Sequence, residues 1–399
     1  MNNRIIRKIT AGALVLMLAV VGCQNVTEVA DQDDLIENQV IEGQYIVVMK
    51  SSNDGQFKLG DVEQVEAVRS KVMSKAQLSE TDVFLKYNNA IAGFAAHLDE
   101  AQLEKLRSDE NVKYIEKDRI HTFAPPCGTP NGGSCDGDGG GSSNQETPYG
   151  ITRVNGGVTY TGSSVAWIID TGIDLDHPDL NVDASRGFNA FTSGRDAKSL
   201  DDGNGHGSHV AGTVAAVDND QGVIGVAAGA TVIPVKVLDS RGSGSYSGVI
   251  AGVDHVGANG SAGDVANMSL GGPVSQALDD AVLAASSNGI YFSLAAGNDS
   301  EDANNSSPAR VNGTYIVTIS AMDSNDDWAY FSNFGNPPVD YASPGVSVTS
   351  TWKDGGYNTI SGTSMAAPHA AGVLLLGNAS TDGTVNGDPD GNPDPIIVH

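Results

Sequence analysis

The stretch VAWIIDTGI, residues 165–173, reads as a strand that is apolar on both faces and ends at Asp170. Comparable apolar runs alternate with Gly- and Ala-rich helical segments, at residues 231–238, 264–268, 291–295 and 315–320. Continuous apolar strands interleaved with helices are typical of a parallel sheet that is covered on both faces. The sequence therefore predicts an α/β domain over residues 148–378, with a parallel sheet and helices on both of its faces.

Two further segments carry polar groups that complement Asp170. NGHGSHVAG, residues 204–212, sets His206 between glycines just before a helical run, and SGTSMAAPH, residues 361–369, sets Ser364 at the start of an apolar helix. A serine hydroxyl needs a base to take its proton and an acid to orient that base. Each residue alone fits a turn or a helix cap, but their joint occurrence favours catalysis.

The chain order Asp, His, Ser, with these flanking sequences, resembles that of the subtilisin-like serine peptidases, the subtilases. The resemblance covers most of the chain. It implies a serine endopeptidase in which Asp170 orients His206, and His206 takes the proton of Ser364 as that residue attacks the scissile carbonyl. It also implies that Asn298 donates a hydrogen bond to the oxyanion, beside the backbone N–H of Ser364.

Other classes of protein remain open on the sequence alone. A non-catalytic surface protein can keep such a fold as a binding module, although it has no need for all four of these side chains. Acid-acting serine-carboxyl peptidases share a Gly-Thr-Ser-like motif but use a glutamate base, which His206 in its glycine-rich segment disfavours. An α/β-hydrolase esterase would carry its serine in a G-x-S-x-G turn, and Ser364 does not lie in one.

The resemblance also implies where a peptide substrate binds. Two segments should pair with an extended substrate from either side, and a third should line a P1 pocket with room for a large apolar group. In chain order these are Gly242, Ser243 and Gly244, then Ser269, Leu270 and Gly271, and finally Ala295, Ala296 and Gly297. Ser307-Pro308 matches a position where the family has a cis-proline near this pocket.

A structural Ca²⁺ site follows from the same resemblance. Side-chain oxygens would come from Gln145, Asp179 and Asn219, and backbone carbonyls from Val217, Gln221 and Val223. Such a set of hard oxygen ligands suits Ca²⁺ rather than a transition metal. The alternative is a polar turn on an acidic surface.

Residues 44–123 form a separate unit, in which apolar runs and helical spacing follow the order β-α-β-β-α-β. This order predicts a small ferredoxin-like α+β domain. It resembles the inhibitory propeptide of subtilases, which implies a precursor that is inhibited by its own propeptide and processes itself. Residues 124–147 are rich in Gly, Ser and Pro and should form a linker and the mature N-terminal segment, and residues 379–399 read as a polar, poorly packed tail.

Residues 1–23 read as an export signal, with basic residues before an apolar run that is too short to span a bilayer. The run ends at Cys23 in a sequence that resembles a bacterial lipobox, which implies a lipid on Cys23; ordinary signal cleavage is the alternative. The acidic residues 24–43 should form a tether. Export to an oxidising compartment favours a disulfide between Cys127 and Cys135.

The formal net charge of −27 disfavours nucleic acid and anionic membrane surfaces as partners. The expected partners are polypeptide substrates and the chain's own propeptide. We expect membrane contact only through the lipid on Cys23 of the precursor, and a mature enzyme that is extracellular or periplasmic.

Overall fold

A computed structural model describes residues 39–51, 59–122 and 145–399. The predictions for a lipid on Cys23 and for the disulfide Cys127–Cys135 lie outside the described residues. Within them, every helix is too short or too polar to cross a bilayer.

The N-terminal domain has the predicted β-α-β-β-α-β order. Its elements are β1 (Gln39–Met49), α1 (Val62–Ala76), β2 (Val83–Tyr87), β3 (Gly93–His97), α2 (Glu100–Arg107) and β4 (Val112–Thr122). The strands are antiparallel in the order β4-β1-β3-β2. Helix α2 begins with a capping box, in which the side chains of Asp99 and Gln102 each accept a backbone N–H of the other residue.

The boundary predicted between the tether and this domain differs from the structure. Strand β1 begins at Gln39, inside the segment 24–43 that was expected to be a tether. Gln39 and Val40 pair with Ile120 and Arg119 of β4, so partners far along the chain extend the strand beyond its apolar run.

The second domain contains the remaining regular elements. Its helices are α3 (Tyr149–Arg153), α4 (His206–Ala215), α5 (Tyr246–Asn259), α6 (Gln276–Ser286) and α7 (Thr363–Leu376). Its strands are β5 (Val158–Thr159), β6 (Ala166–Asp170), β7 (Asn181–Val182), β8 (Phe188–Asn189), β9 (Ala227–Ala228), β10 (Thr231–Lys236), β11 (Ser243–Ser245), β12 (Val265–Met268), β13 (Gly272–Pro273), β14 (Tyr291–Ala295), β15 (Ser306–Ser307), β16 (Ile316–Met322), β17 (Val339–Pro344), β18 (Val348–Trp352), β19 (Gly356–Ile360), β20 (Ser380–Thr384) and β21 (Pro395–Val398). The main sheet has the order β20-β21-β17-β16-β14-β12-β6-β10-β7, and β8 also pairs with β10.

The predicted fold class is confirmed. All neighbouring strands of the main sheet are parallel except β20 and β21. Trp167 and Ile169 of β6 pack with α5 and α6 on one face, whereas Ala166 and Ile168 pack with α4 and α7 on the other. Because both faces are covered, β6 is apolar along its whole length until Asp170.

The expectation of a poorly packed tail at residues 379–399 is wrong. Strand β21 pairs in parallel with β17, where Ile396 lies opposite Ala342, and β20 folds back against β21. Ile396, Ile397 and Val398 are buried. The expectation was based on the polar composition of the segment as a whole. Its short apolar run is a buried strand beside β17, next to the edge of the main sheet.

Candidate active site

Asp170 and His206 meet at the carboxyl end of the main sheet. Asp170 is the last residue of β6 and is fully buried, and His206 is the first residue of α4 and is 2% exposed. His206 Nδ1 lies 2.9 Å and 3.0 Å from the two carboxylate oxygens of Asp170. The backbone N–H of Thr171 donates to the same carboxylate at 2.7 Å. This bidentate pairing fixes the imidazole plane and directs Nε2 away from Asp170.

The surroundings of His206 change its pKa in opposing directions. Burial lowers it, while the charge of Asp170, the hydrogen bond to that residue and the charge of Asp202 raise it. The net effect is a pKa above the ordinary histidine value. His206 Nε2 is buried and has no hydrogen-bond partner among the described residues, so it is free to accept a proton.

Ser364 lies in the first turn of α7, where Pro368 alters the helical hydrogen bonds. Proline has no N–H, so residue 368 cannot donate to the carbonyl of Ser364 four residues earlier. The hydroxyl of Ser269 donates to that carbonyl instead, at 2.7 Å. In return, Ser364 Oγ donates to the backbone carbonyl of Ser269 at 3.1 Å. The nucleophile segment and the segment 269–271 are therefore joined by two hydrogen bonds.

Asn298 is oriented by Thr363, the residue before Ser364. Its Oδ1 accepts hydrogen bonds from the N–H and the hydroxyl of Thr363, at 2.9 and 3.0 Å. The amide nitrogen therefore faces the other way. A Cβ built on Gly362 would lie 3.7 Å from Asn298 Oδ1, 3.8 Å from its Nδ2 and 3.7 Å from the backbone nitrogen of Ser364. The side-chain amide of Asn298 and the backbone nitrogen of Ser364 thus border the same small space beside Gly362.

The edge strand β11 is paired with the end of the N-terminal domain. Ser243, Gly244 and Ser245 lie antiparallel to Thr122, His121 and Ile120 of β4. A Cβ at Gly244 would lie 2.4 Å from a backbone carbonyl oxygen, so only glycine fits there. Two residues of the predicted substrate segment 242–244, Ser243 and Gly244, therefore pair through their main chain with an extended segment of β4.

Two other predicted substrate-binding residues are placed by their contacts, Gly297 beside Thr363 and Gly271 beside Ser307. Gly297 follows the buried Ala295 and Ala296, and its N–H donates to the hydroxyl of Thr363 at 3.2 Å. A Cβ at Gly271 would lie 3.5 Å from the carbonyl oxygen of Ser307. The peptide bond Ser307–Pro308 is cis.

Comparison with known proteins identifies the class of enzyme to which this arrangement belongs. The pattern of the subtilase family of peptidases matches residues 161–382, more than half of the chain, and that of the peptidase inhibitor I9 matches residues 44–124. The chain belongs to the subtilase family. It is a subtilisin-like serine endopeptidase that carries an inhibitor propeptide, as the sequence predicts.

Several relatives of this subtilase are similar over most of its length. It is 39% identical to subtilisin E of Bacillus subtilis over 341 residues, 82% of this chain and 81% of the relative. It is 40% identical to alkaline serine exoprotease A of Vibrio alginolyticus over 352 residues, 84% of this chain, but it spans only 60% of that protein. A crystal structure of a cold-adapted subtilisin-like serine proteinase matches 62% of this chain and 96% of its own, with 37% identity and a TM-score of 0.52.

Three carboxylates join the inhibitor domain of this subtilase to its catalytic domain. Glu116 accepts the backbone N–H groups of the first two residues of α6, at 2.9 and 2.8 Å. Asp118 accepts the N–H and the hydroxyl of Ser247 at the start of α5, at 3.1 and 2.5 Å. In the opposite direction, Asp254 of α5 accepts the N–H groups of residues 88–90 at 2.7–3.1 Å. Two helix N-termini and one turn are thus capped across the interface.

The residues predicted to hold calcium lie together. Asp179 is buried, and its carboxylate accepts the side-chain amide of Asn219 at 2.7 Å and the N–H of Val223 at 2.9 Å. The side-chain amide of Gln145 donates to the carbonyls of Val217 and Val223, at 2.8 and 3.3 Å. Gln221 joins this group through its N–H, which donates to Asn219 Oδ1 at 2.8 Å.

Sequence reasoning missed Asp202, Asp254 and the capping role of Glu116. Asp202 precedes the start of α4, and an acidic residue before a helix start is a recognisable cap signal. Asp254 lies inside α5 and its partners are more than 160 positions away, so no local pattern marks it.

Proposed function

We propose that Asp170, His206 and Ser364 carry out the peptide-bond hydrolysis of this endopeptidase. The observation that carries the proposal is the buried pair of Asp170 and His206, whose Nε2 has no hydrogen-bond partner among the described residues. Helix α4, which begins at His206, packs against α7, which carries Ser364 in its first turn.

The proton transfers follow from these positions. Ser364 Oγ turns from the carbonyl of Ser269 toward His206 Nε2, gives up its proton there and bonds to the scissile carbonyl carbon. The imidazolium, stabilised by Asp170, then protonates the leaving amine. Water attacks the acyl-enzyme in the second half of the cycle, with His206 again taking a proton and returning it to Ser364.

The surrounding segments bind the substrate and its oxyanion. Asn298 Nδ2 and the N–H of Ser364 donate to the tetrahedral oxyanion in the space beside Gly362. The substrate main chain pairs with residues 242–244 on one side and with residues 269–271 on the other. Ala295, Ala296 and Gly297 line a P1 pocket for a large apolar side chain.

A fluorophosphonate probe tests this assignment. It should label the mature enzyme on Ser364, as located by peptide mass spectrometry, and His206→Ala, matured with a trace of wild-type enzyme, should lose labelling while melting normally. A binding module that merely shares the fold would not react. Labelling of another residue, or full labelling without His206, would contradict the proposed roles.

We propose that the cluster around Asp179 holds a structural Ca²⁺. Asp179, the carbonyls of Val217 and Val223, and the amide groups of Gln145 and Asn219 already converge, and the carbonyl of Gln221 completes the proposed set. Turning the two amides would present oxygens in place of N–H groups, and would free the carbonyls of Val217 and Val223 to serve as ligands. The ion would tie the loop 217–223 to Asp179 and to Gln145 of the mature N-terminal segment.

We further propose export, lipid attachment at Cys23 and release by self-processing. Cys23 precedes the inhibitor domain, so cleavage near residues 120–124 would separate the catalytic domain from its anchor. Phe123 or a neighbour would be the P1 residue, while Pro125 disfavours cleavage after Ala124. A disulfide Cys127–Cys135 would lie on the mature side and would not hold the two pieces together.

Cell fractionation tests the release proposal. Wild type should give active enzyme in the extracellular or periplasmic fraction, and Ser364→Ala should stay with membranes through its lipid. Mature enzyme that remains membrane-bound after the propeptide is degraded would show that the proposal is wrong.

A further inference from the structure

Asp202, in the loop before α4, is a buried carboxylate with 4% of its surface exposed. Its Oδ1 accepts the hydroxyl of Thr171 at 2.8 Å and the N–H groups of Asn204 and Gly205 at 2.9 and 2.8 Å. Its Oδ2 accepts the N–H and the hydroxyl of Ser208 at 2.9 and 2.8 Å. Among residues 39–51, 59–122 and 145–399, Asp202 forms no ion pair within 4.0 Å. The hydrogen-bond donors named above therefore stabilise its negative charge.

Helix α4 needs a cap from outside because His206, its first residue, lies between two glycines. A Cβ at position 205 would lie 2.2 Å from the ring of Trp352, and one at position 207 would lie 2.1 Å from a backbone carbonyl oxygen. Neither position can therefore carry a capping side chain. Asp202 supplies a cap instead, by accepting the first-turn N–H of Ser208, which has no partner within the helix, and the N–H of Gly205 just before the helix.

Thr171 connects the same carboxylate to Asp170. Its N–H donates to Asp170 Oδ1 at 2.7 Å, and its hydroxyl donates to Asp202 while accepting the N–H of Gly207 at 2.9 Å. Asp202 thus lies at the junction between the strand end that carries Asp170 and the helix turn that carries His206.

We propose that Asp202 is a positioning residue for proteolysis, which fixes the start of α4 to the end of β6 and so holds His206 against Asp170. This inference rests on the catalytic roles proposed above for those two residues. The charge of Asp202 has a second effect. Burial lowers the pKa of His206, and the charge of Asp202 adds to the larger effects of Asp170 in raising it.

The main test replaces Asp202 with asparagine in the full precursor, which is then matured with a trace of wild-type enzyme. We expect kcat to fall by about 10- to 100-fold, since a misplacement of about 1 Å costs about that much, with KM unchanged. The acid limb of kcat/KM should also move to lower pH, because a negative charge near His206 is lost. Asp201→Asn is the matched control: among the residues that the structure describes, this exposed neighbour accepts only the N–H of Leu175, at 3.3 Å, and the change should leave both readouts at wild-type values.

A second pair of variants keeps the test independent of whether Asp202→Asn folds. Thr171→Val removes the connecting hydroxyl and should lower kcat, whereas Thr171→Ser keeps the hydroxyl and should have the kcat of the wild type. Wild-type kcat and an unshifted acid limb in folded Asp202→Asn and Thr171→Val would overturn the inference, even if their melting temperatures fall. Asp170→Asn distinguishes a failure of this inference from a failure of the proposed triad. If Asp170→Asn loses activity while Asp202→Asn and Thr171→Val keep it, only the role of Asp202 is wrong. If Asp170→Asn keeps full activity, the proposed triad is wrong as well.

Discussion

Asp170 makes His206 a stronger base than a free histidine. Burial lowers the pKa of the imidazole, but the charge of Asp170 and its hydrogen bond raise it more, so the pKa lies above the ordinary value of 6.5. Only neutral His206 can take the proton of Ser364. We therefore expect kcat/KM for a peptide substrate to fall as the pH is lowered through a midpoint above 6.5.

Asp170→Asn provides the check on that pH profile. It should move the midpoint to lower pH and reduce kcat by about 10⁴-fold, because the imidazole loses its orienting carboxylate. An acid limb that stays at the wild-type midpoint would contradict the assignment of the titrating group.

Asn298 should contribute to the rate rather than to substrate binding. Asn298→Asp keeps an oxygen that can accept the N–H of Thr363, but replaces the amide donor that faces the space beside Gly362. Loss of one oxyanion donor costs about 10²–10³ in kcat, a figure measured on subtilisin, a relative of this enzyme. Steady-state kinetics should show this fall with KM nearly unchanged; a kcat within tenfold of wild type would rule out the role.

The proposed catalytic residues could be predicted because each lies in a short motif with a distinctive flank, as Ser364 does. Asp202 carried only the general signal of an acidic residue before a helix, and Asp254 carried none, since its partners lie more than 160 positions away along the chain. Their importance arises only when the fold brings buried N–H groups to them.

At the level of elements, the inhibitor domain is held by helix caps and one buried turn. Asp254 is 7% exposed and accepts three backbone N–H groups of the turn between β2 and β3. Removing a hydrogen-bonded charge from an interface costs about 2 kcal/mol or more, roughly 30-fold in Kd. Asp254→Ala should therefore shorten the lag between self-cleavage and the appearance of activity.

The lag is measured as peptidase activity after precursor cleavage, with Asp201→Asn as an exposed control of equal charge change. An Asp254→Ala enzyme with the wild-type lag would mean that this turn does not limit release of the inhibitor domain.

Apolar periodicity predicted the central strands and helices, because β6 and its neighbours are buried on both faces. It failed for the segment 379–399, where strand β21 is only four residues long and lies among aspartates and glycines. Pairing with β17 stabilises it, and such a partner cannot be read from the segment itself.

For the whole molecule, Ca²⁺ should stabilise the folded chain by binding it and not the unfolded chain. At a free concentration of about 100 Kd the gain is about 2.7 kcal/mol. A chelator should therefore lower the melting temperature of the inactive Ser364→Ala precursor, in which autolysis cannot interfere. When Asp179→Asn is added to this precursor, the chelator should no longer change the melting temperature. If the chelator also leaves the melting temperature of the precursor with Asp179 unchanged, the calcium assignment is wrong.

We propose above that this subtilase cuts its own precursor with Ser364. The most direct measurement is the intact mass of purified wild-type and Ser364→Ala precursors, each incubated alone in the absence of any other peptidase. We predict that wild type separates into two pieces, with the junction near residues 120–124, and that Ser364→Ala keeps its full mass. Cleavage of the purified Ser364→Ala precursor at the wild-type rate would contradict the account.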